Sequence, residues 1–150
     1  MELISPVLLA LHLLAAVAWV GGIFFATMAL RPASMLLDAP LRLRLWAATF
    51  GRFFPWVWGF IAVLLVSGHV LMGSAPAHNS LLAMAAIGWV MSLLFAYLYF
   101  VLFASLKRAV VASDTPAAAQ AMTRIRPVMA TNLALGLIAS VLGTLHPILG

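Results

Sequence analysis

The chain has 150 residues, 66% of them hydrophobic and 7% charged, with a mean hydropathy of +1.18. This composition excludes a soluble globular domain and describes an integral membrane protein. It contains no cysteine, so disulfides, thiolate metal sites and cysteine redox chemistry are excluded. Its three acids, Glu2, Asp38 and Asp114, all lie outside the apolar runs. No carboxylate cluster is therefore available for Mg²⁺ or Ca²⁺, and no acid stands near a histidine for a serine triad. The net charge of +5 is not arranged as the basic stripe with interleaved aromatics that nucleic acid would require.

Four apolar runs follow in order, at about 4 to 30, 53 to 73, 80 to 106 and 127 to 149, each long enough to cross a bilayer as a helix. Within the first, Ala16-Val17-Ala18 resembles a signal-peptidase site. The acidic Glu2 and the continuation of the run to Leu30 read instead as a retained helix. His12 lies about 10 Å inside this run, where an ionisable side chain is costly and is a functional candidate by default. The same helical face carries Ala15, Ala16, Trp19, Gly22 and Ala26, small residues that admit another helix or a flat ligand.

All eight basic residues fall in the two segments that join the first run to the second and the third to the fourth. The positive-inside rule makes those loops cytoplasmic and puts both termini outside. In each loop an Asp-x-Pro signal, Asp38-Ala39-Pro40 and Asp114-Thr115-Pro116, predicts a helix start and a short interfacial helix leading into the next span. The halves also repeat. Ala15-Ala16-Val17-Ala18-Trp19-Val20 matches Ala85-Ala86-Ile87-Gly88-Trp89-Val90, and Arg52-x-x-Pro55 matches Arg124-x-x-Pro127, at offsets of 70 and 72. The expected architecture is an all-α, polytopic membrane protein, a four-transmembrane-helix bundle made of two tandem helical hairpins.

The depths of the histidines follow from this topology. His12 is 19 residues from Arg31, His69 is 17 from Arg52 and His146 is 20 from Arg126, which places all three about 26–30 Å above the inner arginines. His78 lies above them in the outer turn. In the fourth run Asn132, Gly136, Ala139, Gly143 and His146 form a seam at spacings of four and three. Such a seam either packs closely against a neighbouring helix or leaves room for a cofactor. Two ligands suit the pattern. A haem b would take axial nitrogens from His12 and either His69 or His146, in a slot lined by Trp19, Gly22 and Gly68. Copper(I) would take imidazoles with thioethers such as Met72 and Met84. A cofactor-free bundle with interfacial histidines is the third alternative.

The run Leu11-His12-Leu13-Leu14-Ala15-Ala16-Val17-Ala18-Trp19-Val20-Gly21-Gly22-Ile23-Phe24-Phe25, with Leu30-Arg31-Pro32, Arg52-Phe53-Phe54-Pro55-Trp56 and Asn132-Leu133-Ala134-Leu135-Gly136, resembles small four-helix members of the copper resistance protein D (CopD) family. That family is similar in turn to HemJ-type protoporphyrinogen oxidases and to haem b membrane cytochromes. The resemblance implies haem attached through His12, and the family name implies copper. It fits residence in a bacterial inner membrane, in contact with the lipid bilayer. The expected role is electron transfer or small-molecule redox at the periplasmic face, with a quinone or a periplasmic redox protein as partner. Copper(I) transport is the alternative, and a homo-oligomer is compatible with either.

Overall fold

The computed structural model describes residues 4–74 and 79–149, the latter without the side chains of 146–149. The protein is an all-α bundle of four helices, α1 (Ile4–Ser34), α2 (Ala39–Gly73), α3 (Asn79–Val111) and α4 (Thr115–Leu149). Each is long and apolar enough to cross a membrane. Apolar side chains such as Leu14, Val17, Trp56 and Leu93 are exposed on the bundle surface, as a lipid-facing surface requires. In each hairpin the first helix packs on the second, and the hairpins meet through α1 against α4 and α2 against α3.

The expected interfacial helices are not separate elements. The amphipathic stretch after Asp38 and the one after Asp114 are the first turns of α2 and α4, each an unbroken 35-residue helix. At 1.5 Å per residue each is about 52 Å long, well beyond the roughly 30 Å hydrocarbon core. Pro55 and Pro127 lie within them. A proline in a helix interior removes the bond to the carbonyl four residues back, here that of Gly51 or Thr123, both close to the basic loops. The first turns stay helical because they have a core to bury. Leu43, Trp46 and Phe50 on α2 and Ala118, Met122 and Ile125 on α4 are buried with Leu102 and Leu106 of α3.

The repeat is present in the backbone as well. Both first helices carry a π-helical segment, Ala26–Leu30 in α1 and Leu98–Phe103 in α3. Their starts are 72 positions apart, the offset of the proline match. Both second helices start at the predicted Asp. Asp114 Oδ1 accepts the Ala117 amide at 3.1 Å, the bond expected of an N-cap, whereas Asp38 makes no side-chain cap. Between α3 and α4 the chain turns through Ser113 at φ 54°, with the Asp114 amide donating to the Ala109 carbonyl at 2.9 Å. Glycine is the residue that adopts this left-handed conformation without cost. Ser113→Gly is expected to stabilise the protein by about 1 kcal/mol, measured as a shift in the denaturation midpoint.

Packing is uneven along the bundle. Around Phe54 the rings of Phe50, Phe95 and Phe103 lie at centroid distances of 4.8, 5.2 and 5.0 Å. Towards the end that carries the termini, no residue from 79 to 90 of α3 or from 137 to 145 of α4 is buried. The small residues of the α4 seam are close-packing sites. A Cβ on Gly136 would stand 2.6 Å from Val20 Cγ2, and one on Gly143 would stand 3.2 Å from Met84 Cε. Val20 is β-branched and stiff in a helix, so Gly136→Ala is expected to cost about 1–3 kcal/mol. Nothing lies within 4 Å of a Cβ on Gly88, so Gly88→Ala should instead stabilise by about 0.5–1 kcal/mol. Parallel SDS titrations of the two variants read the difference in sign.

Candidate functional site

His12 projects from α1 onto α2. Its Nδ1 lies 2.8 Å from Oγ of Ser67, which is buried, and its ring sits over Gly68, where a Cβ would come within 3.2 Å of Cε1. A serine hydroxyl has one proton and two lone pairs. Ser67 donates that proton to the Val63 carbonyl one turn back, so its oxygen accepts from His12, and Nδ1 carries the imidazole proton. Nε2 is then the nitrogen with a lone pair, and none of the described residues bonds it. This is the outer-shell arrangement of metal-ligating histidines, in which one ring nitrogen donates to a protein oxygen and the other faces the ligand.

The other predicted ligands are not gathered around it. His69 is two residues beyond Ser67, a rotation of about 200° on a helix, and is exposed. Its Nδ1–H donates to the Leu65 carbonyl at 2.7 Å, and its ring stands edge-on to Trp89 at 6.1 Å. Pairing of His69 with His12 at one level, expected from depth alone, therefore fails on azimuth. The side chain of His146 and the whole of His78 lie outside the described residues. Among the described residues no group of three His, Asp or Glu side chains could hold a metal ion. Met84 is packed against Gly143 in the α3–α4 seam, away from the α1–α2 face that holds His12.

Trp19 and Gly22, expected beside His12, belong to a different place. Trp19 is 3% exposed and edge-on to Phe95 at 6.3 Å, and Phe53 lies across Gly22, where a Cβ would stand 2.3 Å from its ring. Both line a cavity of about 160 Å³ nearer the basic end, walled by Ile23, Phe50, Phe54, Val57 and Phe95 among others. Both π-helical segments border it, through Ala26 and Leu30 on one side and Leu98 on the other. Such segments are frequent at functional sites.

Three side chains with polar atoms line this cavity, Thr49, Asn132 and the indole of Trp19. Thr49 Oγ1 is engaged, donating to the Leu45 carbonyl at 2.8 Å. Asn132 is 2% exposed; its Nδ2 donates to the Met91 carbonyl at 3.3 Å, and its Oδ1 has no partner. Exchanging the amide atoms would set oxygen against oxygen at Met91, so the orientation is fixed. An unsatisfied buried acceptor costs about 1–3 kcal/mol.

Sequence reasoning missed Ser67 and the role of Asn132. The available signal for Ser67 was a hydroxyl inside an apolar run beside Gly68 and His69. For Asn132 it was an amide six residues into the fourth run. Both were legible as polar residues out of place, without their partners. No family model, curated protein or solved structure matches the chain. The likeness to the CopD family therefore rests on its own residues, and the chemistry of the site on His12, Ser67 and Gly68.

Proposed function

We propose that the protein is a haem b-binding, multi-pass protein of a bacterial inner membrane, with both termini on the periplasmic side and a redox or electron-transfer role at that face. The observation that supports this reading is His12, an imidazole within an apolar helix whose Nδ1 is held by buried Ser67 and whose Nε2 is unbonded among the described residues. The donor set fits a group that needs one imidazole nitrogen from this chain. His12 would hold the iron through Nε2, and the iron would supply one-electron chemistry. Ser67 fixes the tautomer and ring orientation, and Gly68 gives the ring its seat. A quinone or a periplasmic redox protein is the proposed exchange partner. Copper(I), which would need a second nitrogen or a thioether, is the second reading: His69 is turned about 200° from Ser67 and Met84 is packed in the other hairpin, which leaves Met72, four residues beyond Gly68 on the same face of α2.

The test is the absorption spectrum of the detergent-purified protein, oxidised and then dithionite-reduced, with iron and copper quantified on the same sample. The expected result is a Soret band that sharpens on reduction with stoichiometric iron, both lost in His12→Ala. A featureless spectrum from haem-replete cells would overturn the proposal, and stoichiometric copper in its place would establish the other metal.

A further inference from the structure

The cavity bordered by the two π-helical segments does not include His12 among its lining residues. We propose that it takes the ring of a membrane-soluble phenol, the hydroxyl donating to Oδ1 of Asn132 and the apolar tail leaving between α1 and α2 into the lipid.

Size, polarity and access lead to the same ligand. An apolar cavity of about 150 Å³ accepts a benzene ring, and this one measures about 160 Å³. It therefore holds one ring and not two. Its walls offer aromatic faces from Trp19, Phe50, Phe54 and Phe95, the surface that stacks on another ring. Asn132 Oδ1 is a buried acceptor with no partner, because Nδ2 of Asn132 and Oγ1 of Thr49 already donate to backbone carbonyls. The occupant must bring a donor. A phenol or the dihydroxy, reduced form of a one-ring quinone qualifies. The oxidised diketone presents only acceptors and leaves Oδ1 unsatisfied. Asn132 is six residues beyond Arg126, about 9 Å into the membrane from the basic boundary, a depth reached from lipid. Phe25, 60% exposed, and Phe53, which covers Gly22, line the cavity from α1 and α2.

The experiment is calorimetric titration of the detergent-purified wild-type chain with 4-octylphenol and with its methyl ether, which keeps ring and tail but lacks the donor. The phenol is expected to bind saturably, one per chain, about tenfold more tightly than the ether, the worth of one neutral hydrogen bond. Asn132→Leu should erase the difference between the two, and Ala26→Leu, which fills the cavity, should remove saturable binding. Equal affinity of phenol and ether for the wild type would overturn the proposal without any variant having to fold. So would heats that show only partition into micelles, the result expected if a water alone satisfies Asn132. His12→Ala should bind the phenol as the wild type does, so loss of the cofactor reading at His12 leaves this result standing.

Discussion

Replacing Phe54 by alanine is expected to lower the stability of the bundle by about 3–5 kcal/mol, the range for truncating a buried aromatic side chain. Phe54 is 3% exposed and sits where α2 meets α3. Its ring stacks on Phe50 of its own helix at 4.8 Å and meets Phe95 and Phe103 of α3 edge-on at 87° and 81°. The loss has an unusual origin. Lipid and detergent tails are as apolar as a protein core, so little transfer energy separates packed from unpacked helices, and helix association rests on close contact. Removing a ring from this aromatic cluster removes dispersion contacts that a tail cannot replace in the same volume. SDS-induced unfolding followed by helix-sensitive and tryptophan signals measures the change. Trp56→Ala is the control: two residues away, 68% exposed and facing lipid, it should stay within about 0.5 kcal/mol of the wild type. A Phe54→Ala protein as stable as Trp56→Ala would show that the aromatic cluster closes over the gap.

On the proposal that His12 holds haem, replacing Ser67 by alanine is expected to leave the fold intact and weaken haem retention 10–100-fold, the usual consequence of losing an outer-shell partner of a metal-binding histidine. The hydroxyl is the acceptor that keeps the proton on Nδ1. Without it the donor faces a buried, apolar wall, and about 1–3 kcal/mol of desolvation is no longer offset. The imidazole then gains by turning its N–H elsewhere or by moving the proton to Nε2, and either change removes the lone pair from the position the ligand needs. Soret absorbance per chain during dilution or competition with apo-myoglobin reads the loss. Ser67→Thr keeps an oxygen at the same position and should recover most of the retention. His69→Ala should not alter it, because that ring is exposed and lies about 200° around α2 from Ser67. Equal retention in Ser67→Ala and wild type would assign Ser67 to helix packing alone.

Membrane insertion, helix number and the division into two hairpins are fixed by composition and charge placement, because a run of about 20 apolar residues has one low-energy state in a bilayer and basic residues mark the boundaries. The Asp38 and Asp114 starts and the internal repeat were legible for the same local reason. The continuity of α2 and α4 was not. Whether an amphipathic turn lies on the membrane or extends a span depends on a partner surface, here Leu102 and Leu106 of α3, which no local pattern reveals.

The site divides along the same line. That His12 is out of place in its helix is a fact of sequence, since charge and hydropathy price a residue where it stands. Depth along each helix can also be counted, at a fixed rise per residue. Direction around the helix axis cannot, because it is set by how the bundle packs. That angle separates Ser67, which holds His12, from His69, which faces Trp89. It also fills the glycine seam with Val20, Met91 and Met84 and takes Trp19 and Gly22 away from His12 into the cavity of Asn132. The sequence by itself determined which polar residues enter the membrane and how deep they go. Tertiary packing alone decided which of them face each other, because side-chain partners across helices depend on azimuth and on the volumes of residues far away in the chain.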